Sequence, residues 1–219
     1  MRKKRAQAKA ADACAGCGYR TTSCGPRAAT FLFGRRSWLA DRRSRYNGSV
    51  AFGVRESRKS DFDTLWRIDQ ACFDPQLAYS RPELAFYMRR PGSFTLVAAE
   101  DSGEARGNGG KPGCGIPSSG ILGFILAESR RKSGHIITID VIAEARRAGV
   151  GSALLRAAEE QLLRAGATAV ALETPVNNEA AIRFYKQKGY FVERTVAGYY
   201  SNQMDALVMT KELAPPPGG

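Results

Sequence analysis

Apolar and polar positions along this chain change their period several times, and each change marks an element. Residues 49–55 (SVAFGVR) alternate like a first strand. Ser60-Asp61 then read as cap signals for a helix carrying Phe62, Leu65, Trp66, Ile68 and Asp69 up to Phe73, and Asp74-Pro75 breaks it. Ser80-Arg81-Pro82-Glu83 has the form of a capping box with proline in the first turn. It predicts a second short helix to about Arg90, ended by Pro91-Gly92. Residues 94–100 (FTLVAAE), 121–128 (ILGFILAE) and 135–142 are predicted strands. Between the first two, residues 101–119 are dense in Gly, Ser, Pro and Lys and predict a long flexible loop. Residues 129–134 are expected to form a basic turn.

A longer amphipathic helix follows from about Gly149 to Ala165, with Val150, Leu154, Leu155, Ala158, Leu162 and Leu163 at helical spacing. Gly166 stands where a glycine ends a helix. Residues 168–174 (TAVALET) predict a strand stopped by Pro175. Asn177-Asn178 cap another helix with Ala181, Ile182, Phe184, Tyr185 and Lys188, and Gly189 ends it. Two closing strands occupy 190–196 and 205–211. This order predicts an α/β fold, a mixed sheet of about seven strands with helices on both faces.

Composition adds one distinction. The net charge of +12 suggests a nucleic-acid partner, but residues 1–49 hold 12 Lys/Arg against 2 Asp/Glu, and the remainder is close to neutral. The chain therefore divides into a basic extension over 1–49, expected to be disordered, a folded domain over 50–212, and a Pro/Gly tail over 213–219. Met1-Arg2-Lys3-Lys4-Arg5 resembles the start of a secretory signal, but no apolar stretch follows it; an organellar leader is the alternative. No run approaches 18 apolar residues, so no membrane span is expected. Cys14-x-x-Cys17 with Cys24 falls short of the four ligands of structural zinc, and the single histidine, His135, is distant in sequence. No metal is expected. Cys72 and Cys114 add no pairing pattern, and reduced thiols in a cytoplasmic protein are the expectation.

Chemistry concentrates at Arg146-Arg147-Ala148-Gly149-Val150-Gly151-Ser152, which leads from a strand into a helix N-terminus. Backbone N–H groups and the positive end of the helix dipole converge there, as a phosphate requires. Neither the dinucleotide fingerprint nor the P-loop pattern is present. The R-x-x-G-x-G pattern instead resembles the pyrophosphate-binding motif of the GNAT N-acetyltransferases. Asn178-Glu179-Ala180-Ala181-Ile182-Arg183-Phe184-Tyr185 with Lys188-Gly189-Tyr190 is similar to another segment of that superfamily. Gly198-Tyr199-Tyr200 and 205–209 (DALVM) resemble its RimI-like branch, which acetylates the N-terminal amine of a ribosomal protein. Asp140 and Pro175 depart from that branch, and the 101–119 loop is longer than usual.

The resemblance, which covers about residues 50–212, implies the GNAT fold, acetyl-CoA as co-substrate and an amine acceptor, most directly a protein N-terminus. Glu173 falls at the position of the catalytic base and Tyr185 at that of the acid toward the leaving thiolate. Ile139, Asp140 and Val141 are implied as contacts of the acetyl and pantetheine groups, with a backbone N–H near Val141 stabilising the developing oxyanion. Residues Arg146, Arg147, Ala148, Gly149, Val150, Gly151 and Ser152 are implied for the pyrophosphate, and Asn178 for side-chain hydrogen bonds to the co-substrate. Tyr199 and Tyr200 would wall the amine pocket. His135 reads as a strand-end residue, since nothing in the sequence brings it to the acetyl site. The alternatives are acetylation of a small amine, amino acid or antibiotic, and a non-catalytic acyl-CoA-binding or ribosome-associated module whose basic extension contacts RNA.

Overall fold

A computed structural model describes residues 44–46, 50–100, 120–200 and 202–213. The strands are β1 (Ser44–Tyr46), β2 (Val50–Glu56), β3 (Ser93–Glu100), β4 (Ile121–Arg130), β5 (Ser133–Val141), β6 (Ala169–Pro175), β7 (Phe191–Val196) and β8 (Ala206–Glu212). The helices are α1 (Phe62–Cys72), α2 (Arg81–Met88), α3 (Val150–Arg164) and α4 (Glu179–Gln187). All strands join one sheet in the order β1-β2-β3-β4-β5-β6-β8-β7. The seven predicted strands are present, and the three-residue β1 adds an eighth at the edge, inside the stretch read as the extension. The zinc reading of Cys14, Cys17 and Cys24, the 101–119 loop, Cys114 and the C-terminal tail lie outside the described residues. Among the described residues, no helix is long and apolar enough to cross a membrane.

Helices cover both faces because the strands alternate. On β3, Leu96 and Ala98 belong to one buried cluster and Val97 to another. The first cluster receives α3 through Val150, Leu154, Leu155, Ala158 and Leu162; the second receives α1 and α2 through Leu65, Ile68, Leu84 and Tyr87. Leu162 needs Gly134 beneath it, since a Cβ there would come within 2.6 Å of its methyl carbon. Leu154 is fully buried at the centre of the larger cluster. Leu154→Ala is expected to cost about 2–5 kcal/mol, read as a lower urea midpoint with unchanged slope. A loss below about 1 kcal/mol would mean α3 is not packed as described.

Local signals explain most helix ends. Ser80 and Glu83 form the expected box, with the Ser80 N–H and Oγ both donating to Glu83 Oε2 at 3.1 and 2.6 Å. Asn178 caps α4 by accepting from the Ala181 N–H at 3.1 Å. Gly166, at φ 88°, follows α3. Helix α1 starts where expected, with Asp61 at its N-cap position, but the side-chain cap is missing. Ser60 and Asp61 lie in a 3-10 turn, and Asp61 does not cap the helix. Its carboxylate accepts instead from the Arg58 N–H at 2.7 Å and pairs with Arg55 at 2.7 Å.

Two irregularities shape the middle of the sheet. The strands β5 and β6 are parallel neighbours, paired only from Ser133–Ala169 to Ile136–Leu172. Both continue beyond that point without pairing, so a slot opens between them. On its other side β5 stays paired with β4, but Leu126 faces Thr138 and Ala127 faces Ile136, leaving Ile137 as an inserted residue. The insertion inverts the alternation of β5. Ile136 and Ile139 pack with the α3 cluster, whereas Ile137 packs with the α1–α2 cluster.

Candidate active site

A cavity of about 460 Å³ lies at the opening between β5 and β6. The sheet contributes Glu128, His135, Ile137, Thr138, Ile139 and Glu173 to its lining. The segment after α1 adds Phe73, Leu77 and Tyr79, α2 adds Phe86 and Tyr87, and Arg90 follows just beyond α2; α4 and its cap add Tyr185 and Asn178. The β7–β8 turn adds Tyr199 and Tyr200.

The turn is built to present these tyrosines. Gly198 has φ 58°, and its N–H donates to Asp205 Oδ1 at 2.8 Å. The Tyr200 N–H donates to the Met204 carbonyl at 3.1 Å, and the two rings stand edge to face with centroids 5.0 Å apart. Across the cavity, Tyr79 is held by its own N–H to Asp69 Oδ2 at 2.7 Å and packs edge to face with Tyr87 at 5.4 Å. Burial, then the Glu173 charge, pushes both the Tyr199 and Tyr200 phenols well above their usual range. They stand beside Glu173 as neutral hydroxyls.

Glu173 meets a partner that the sequence did not show. Its Oε2 lies 2.7 Å from His135 Nε2. The expectation that His135 is a remote strand-end residue is therefore corrected. His135 and Ala171 are register partners in the parallel pair, and Glu173 lies two residues further on the same face. A parallel cross-strand contact joins residues far apart in the chain, so no local spacing announces it. Burial draws the imidazole pKa down, but the charge of Glu173, its hydrogen bond to the ring and the nearby carboxylate of Glu128 overcome this and raise it to about 9. Glu128, Tyr79 and Tyr87 were likewise not singled out in the sequence.

Tyr185 approaches from the other side of the sheet. It belongs to the α3 cluster, 6% exposed, with its ring edge to face against Phe184 and Tyr190. Burial and then the Asp140 charge raise its pKa, so the phenol keeps its proton at neutral pH. Asn178 lines the cavity while also capping α4. Ile139 is part of the lining. Asp140 is 1% exposed and accepts from Thr138 Oγ1 at 3.2 Å. Burial, then the charge of Asp69 on α1, pushes its carboxyl well up. The Val141 carbonyl accepts from Arg146 Nε at 3.0 Å and Cys72 Sγ at 3.3 Å.

The 146–152 turn lies at the far end of β5. Arg147 and Gly149 both have positive φ, 66° and 87°, which turns successive N–H groups toward one point. Gly149 is the N-cap of α3 and brings no side-chain acceptor for the first-turn amides. A Cβ on Gly151 would meet only ordinary contacts with Phe184 and Val141 at 3.7 Å, so packing within the chain does not demand this glycine. Arg146 closes a short 3-10 turn that follows β5, and the two left-handed residues lead into a helix start with no side-chain cap, the kind of backbone that suits an anion. Arg146 and Arg147 are exposed there, Ala148 and Ser152 are half-buried, and Val150, the first residue of α3, is buried.

The mixed sheet that opens between two parallel strands, with helices on both faces, has the form of the GNAT fold. Residues 62–190 match the Acetyltransferase (GNAT) family, and the chain belongs to it. It is 36% identical over 160 residues to an uncharacterized N-acetyltransferase of Methanocaldococcus jannaschii, covering 73% of this chain and 90% of that one. It is 36% identical over 83 residues to an N-alpha-acetyltransferase of Sulfurisphaera tokodaii, 37% of this chain and half the length of that protein. The ribosomal-protein-S18-alanine N-acetyltransferase from Escherichia coli superposes with a TM-score of 0.60 at 18% identity, over 76% of this chain and 96% of that one, a likeness of fold.

Proposed function

We propose that this protein transfers acetyl from acetyl-CoA to the α-amino group of a protein N-terminus. The observation that carries this is the Glu173–His135 pair, 2.7 Å apart, at the floor of a cavity walled by Tyr79, Tyr87, Tyr199 and Tyr200. An α-amino group has a pKa of about 7.7–8.0 and arrives mostly as ammonium at neutral pH. It must lose a proton before it attacks a thioester, and Glu173, directly or through a water, takes it. The relatives named as N-alpha-acetyltransferases support this choice of amine.

The remaining residues divide the work along the slot. Ile139, Asp140 and Val141 offer backbone groups on the unpaired side of β5 to the acetyl and pantetheine portions, with the N–H near Val141 aimed at the thioester oxygen. Residues 146–152 hold the diphosphate. Asn178 bonds the pantetheine amides, and the Tyr185 phenol donates to the departing thiolate. Tyr199 and Tyr200 close over the acceptor.

Release of CoA is the test. Peptides with free N-termini are compared with N-blocked peptides containing lysine, and with polyamines, amino acids and aminoglycosides. Turnover confined to free N-termini is expected. Turnover only on small amines would keep the acetyltransferase chemistry and remove the peptide acceptor.

A further inference from the structure

Glu128 is a buried carboxylate with no part in the proposed transfer, yet it lies against the same imidazole. Its side chain is 3% exposed. Arg130 Nε lies 3.0 Å from its Oε1, and Arg90 Nη1 lies 3.3 Å from its Oε2. His135 Nδ1 is 3.7 Å from Glu128 Oε1, while Nε2 is 2.7 Å from Glu173. One ring thus stands between two carboxylates with unlike surroundings. Both oxygens of Glu128 face guanidinium groups, which do not give up protons. Glu173 faces the cavity with His135 as its ion-pair partner.

We propose that Glu128 is a positioning residue for acetyl transfer: held by Arg90 and Arg130, it orients His135 so that Nε2 faces Glu173 and the exchangeable proton lies on that side. This rests on the proposed role of Glu173. The balance is simple. An N–H bond of the ammonium breaks and nitrogen keeps the electron pair. The proton goes to the Glu173–His135 pair, which passes it to solvent after transfer. The pair accepts a proton only when it does not already hold one. Charged and titratable groups facing the ring region are Glu128 and Arg130 on β4, Glu173 on β6, Tyr79 before α2, Tyr87 on α2 and Arg90 just after it, Tyr185 on α4, Glu193 and Arg194 on β7, and Tyr199 and Tyr200 in the turn. With the ring protonated up to about pH 9, activity rises with pH toward that value.

The chain has one histidine, so its ring gives one set of NMR signals. Titration of the full chain is expected to show a midpoint near 9. Removing the negative charge in Glu128→Gln is expected to lower the midpoint by about one pH unit or more and to change the ring ¹⁵N shifts. Arg130→Gln is expected to move the midpoint the opposite way, a reversal that general loosening does not produce. The ascending limb of kcat against pH should follow the NMR midpoint in each variant, with KM for acetyl-CoA unchanged. An unmoved midpoint in Glu128→Gln, a shift of the same sign in both variants, or a pH limb that does not follow the midpoint would each overturn the proposal. If Glu173→Gln retains full turnover, the role of Glu173 fails separately; the midpoint and ¹⁵N shifts then decide by themselves whether Glu128 governs the ring.

Discussion

Glu173→Gln is expected to lower kcat by about 10²–10³-fold while leaving KM for acetyl-CoA unchanged. Glutamine fills the same space and still reaches His135 Nε2, so the floor of the cavity is preserved. It has no lone pair basic enough to take a proton from an ammonium. The loss therefore falls on the chemical step. The measurement is CoA release at saturating acetyl-CoA across pH 6–10. Raising the pH should recover part of the loss, because a larger fraction of the acceptor then arrives already deprotonated. Turnover equal to that of the unaltered chain would show that another group removes the proton.

Tyr185→Phe is expected to lower kcat by about 10–100-fold. The size follows from what the phenol is able to do. Burial and the Asp140 charge push its pKa up, which makes complete proton transfer to a thiolate uphill. Donation of a hydrogen bond to the charged sulfur remains, worth about 1.5–3 kcal/mol. Phenylalanine keeps the ring contacts with Phe184 and Tyr190, so the fold and the slot are retained. An unchanged kcat would remove the leaving group from reach of this hydroxyl. A loss beyond 10³-fold would instead mean that the phenol gives up its proton fully.

The order of elements was legible in the sequence because each is written locally. The apolar stripe of α3, the Ser80–Glu83 box, the Asn178 cap and the glycine after α3 all act within a few residues. The start of α1 fell where expected, but Asp61 does not cap it through its side chain, because its carboxylate had a stronger use: Arg55, from the preceding strand, and the Arg58 N–H took it. His135 was misjudged for a different reason. Its partners, Glu128 and Glu173, come from the two strands flanking β5, one antiparallel and one parallel. Their distance depends on register, which no single segment carries.

Sequence alone determined the α/β class and the seven strands expected of the domain, since hydrophobic period is a property of short segments; the resemblance added the phosphate turn and the pair Glu173 and Tyr185 as candidates. Tertiary structure decided the rest. The inserted Ile137 inverted the alternation of β5, and where such an insertion falls depends on how the neighbouring strand pairs. The same packing brought one histidine between the buried carboxylate of Glu128 and the cavity-facing one of Glu173, and placed Tyr185 with the α3 cluster, opposite the face that carries α1 and α2. Which side of a sheet a group meets is set by pairing and packing across the whole domain, and only the assembled fold supplies those.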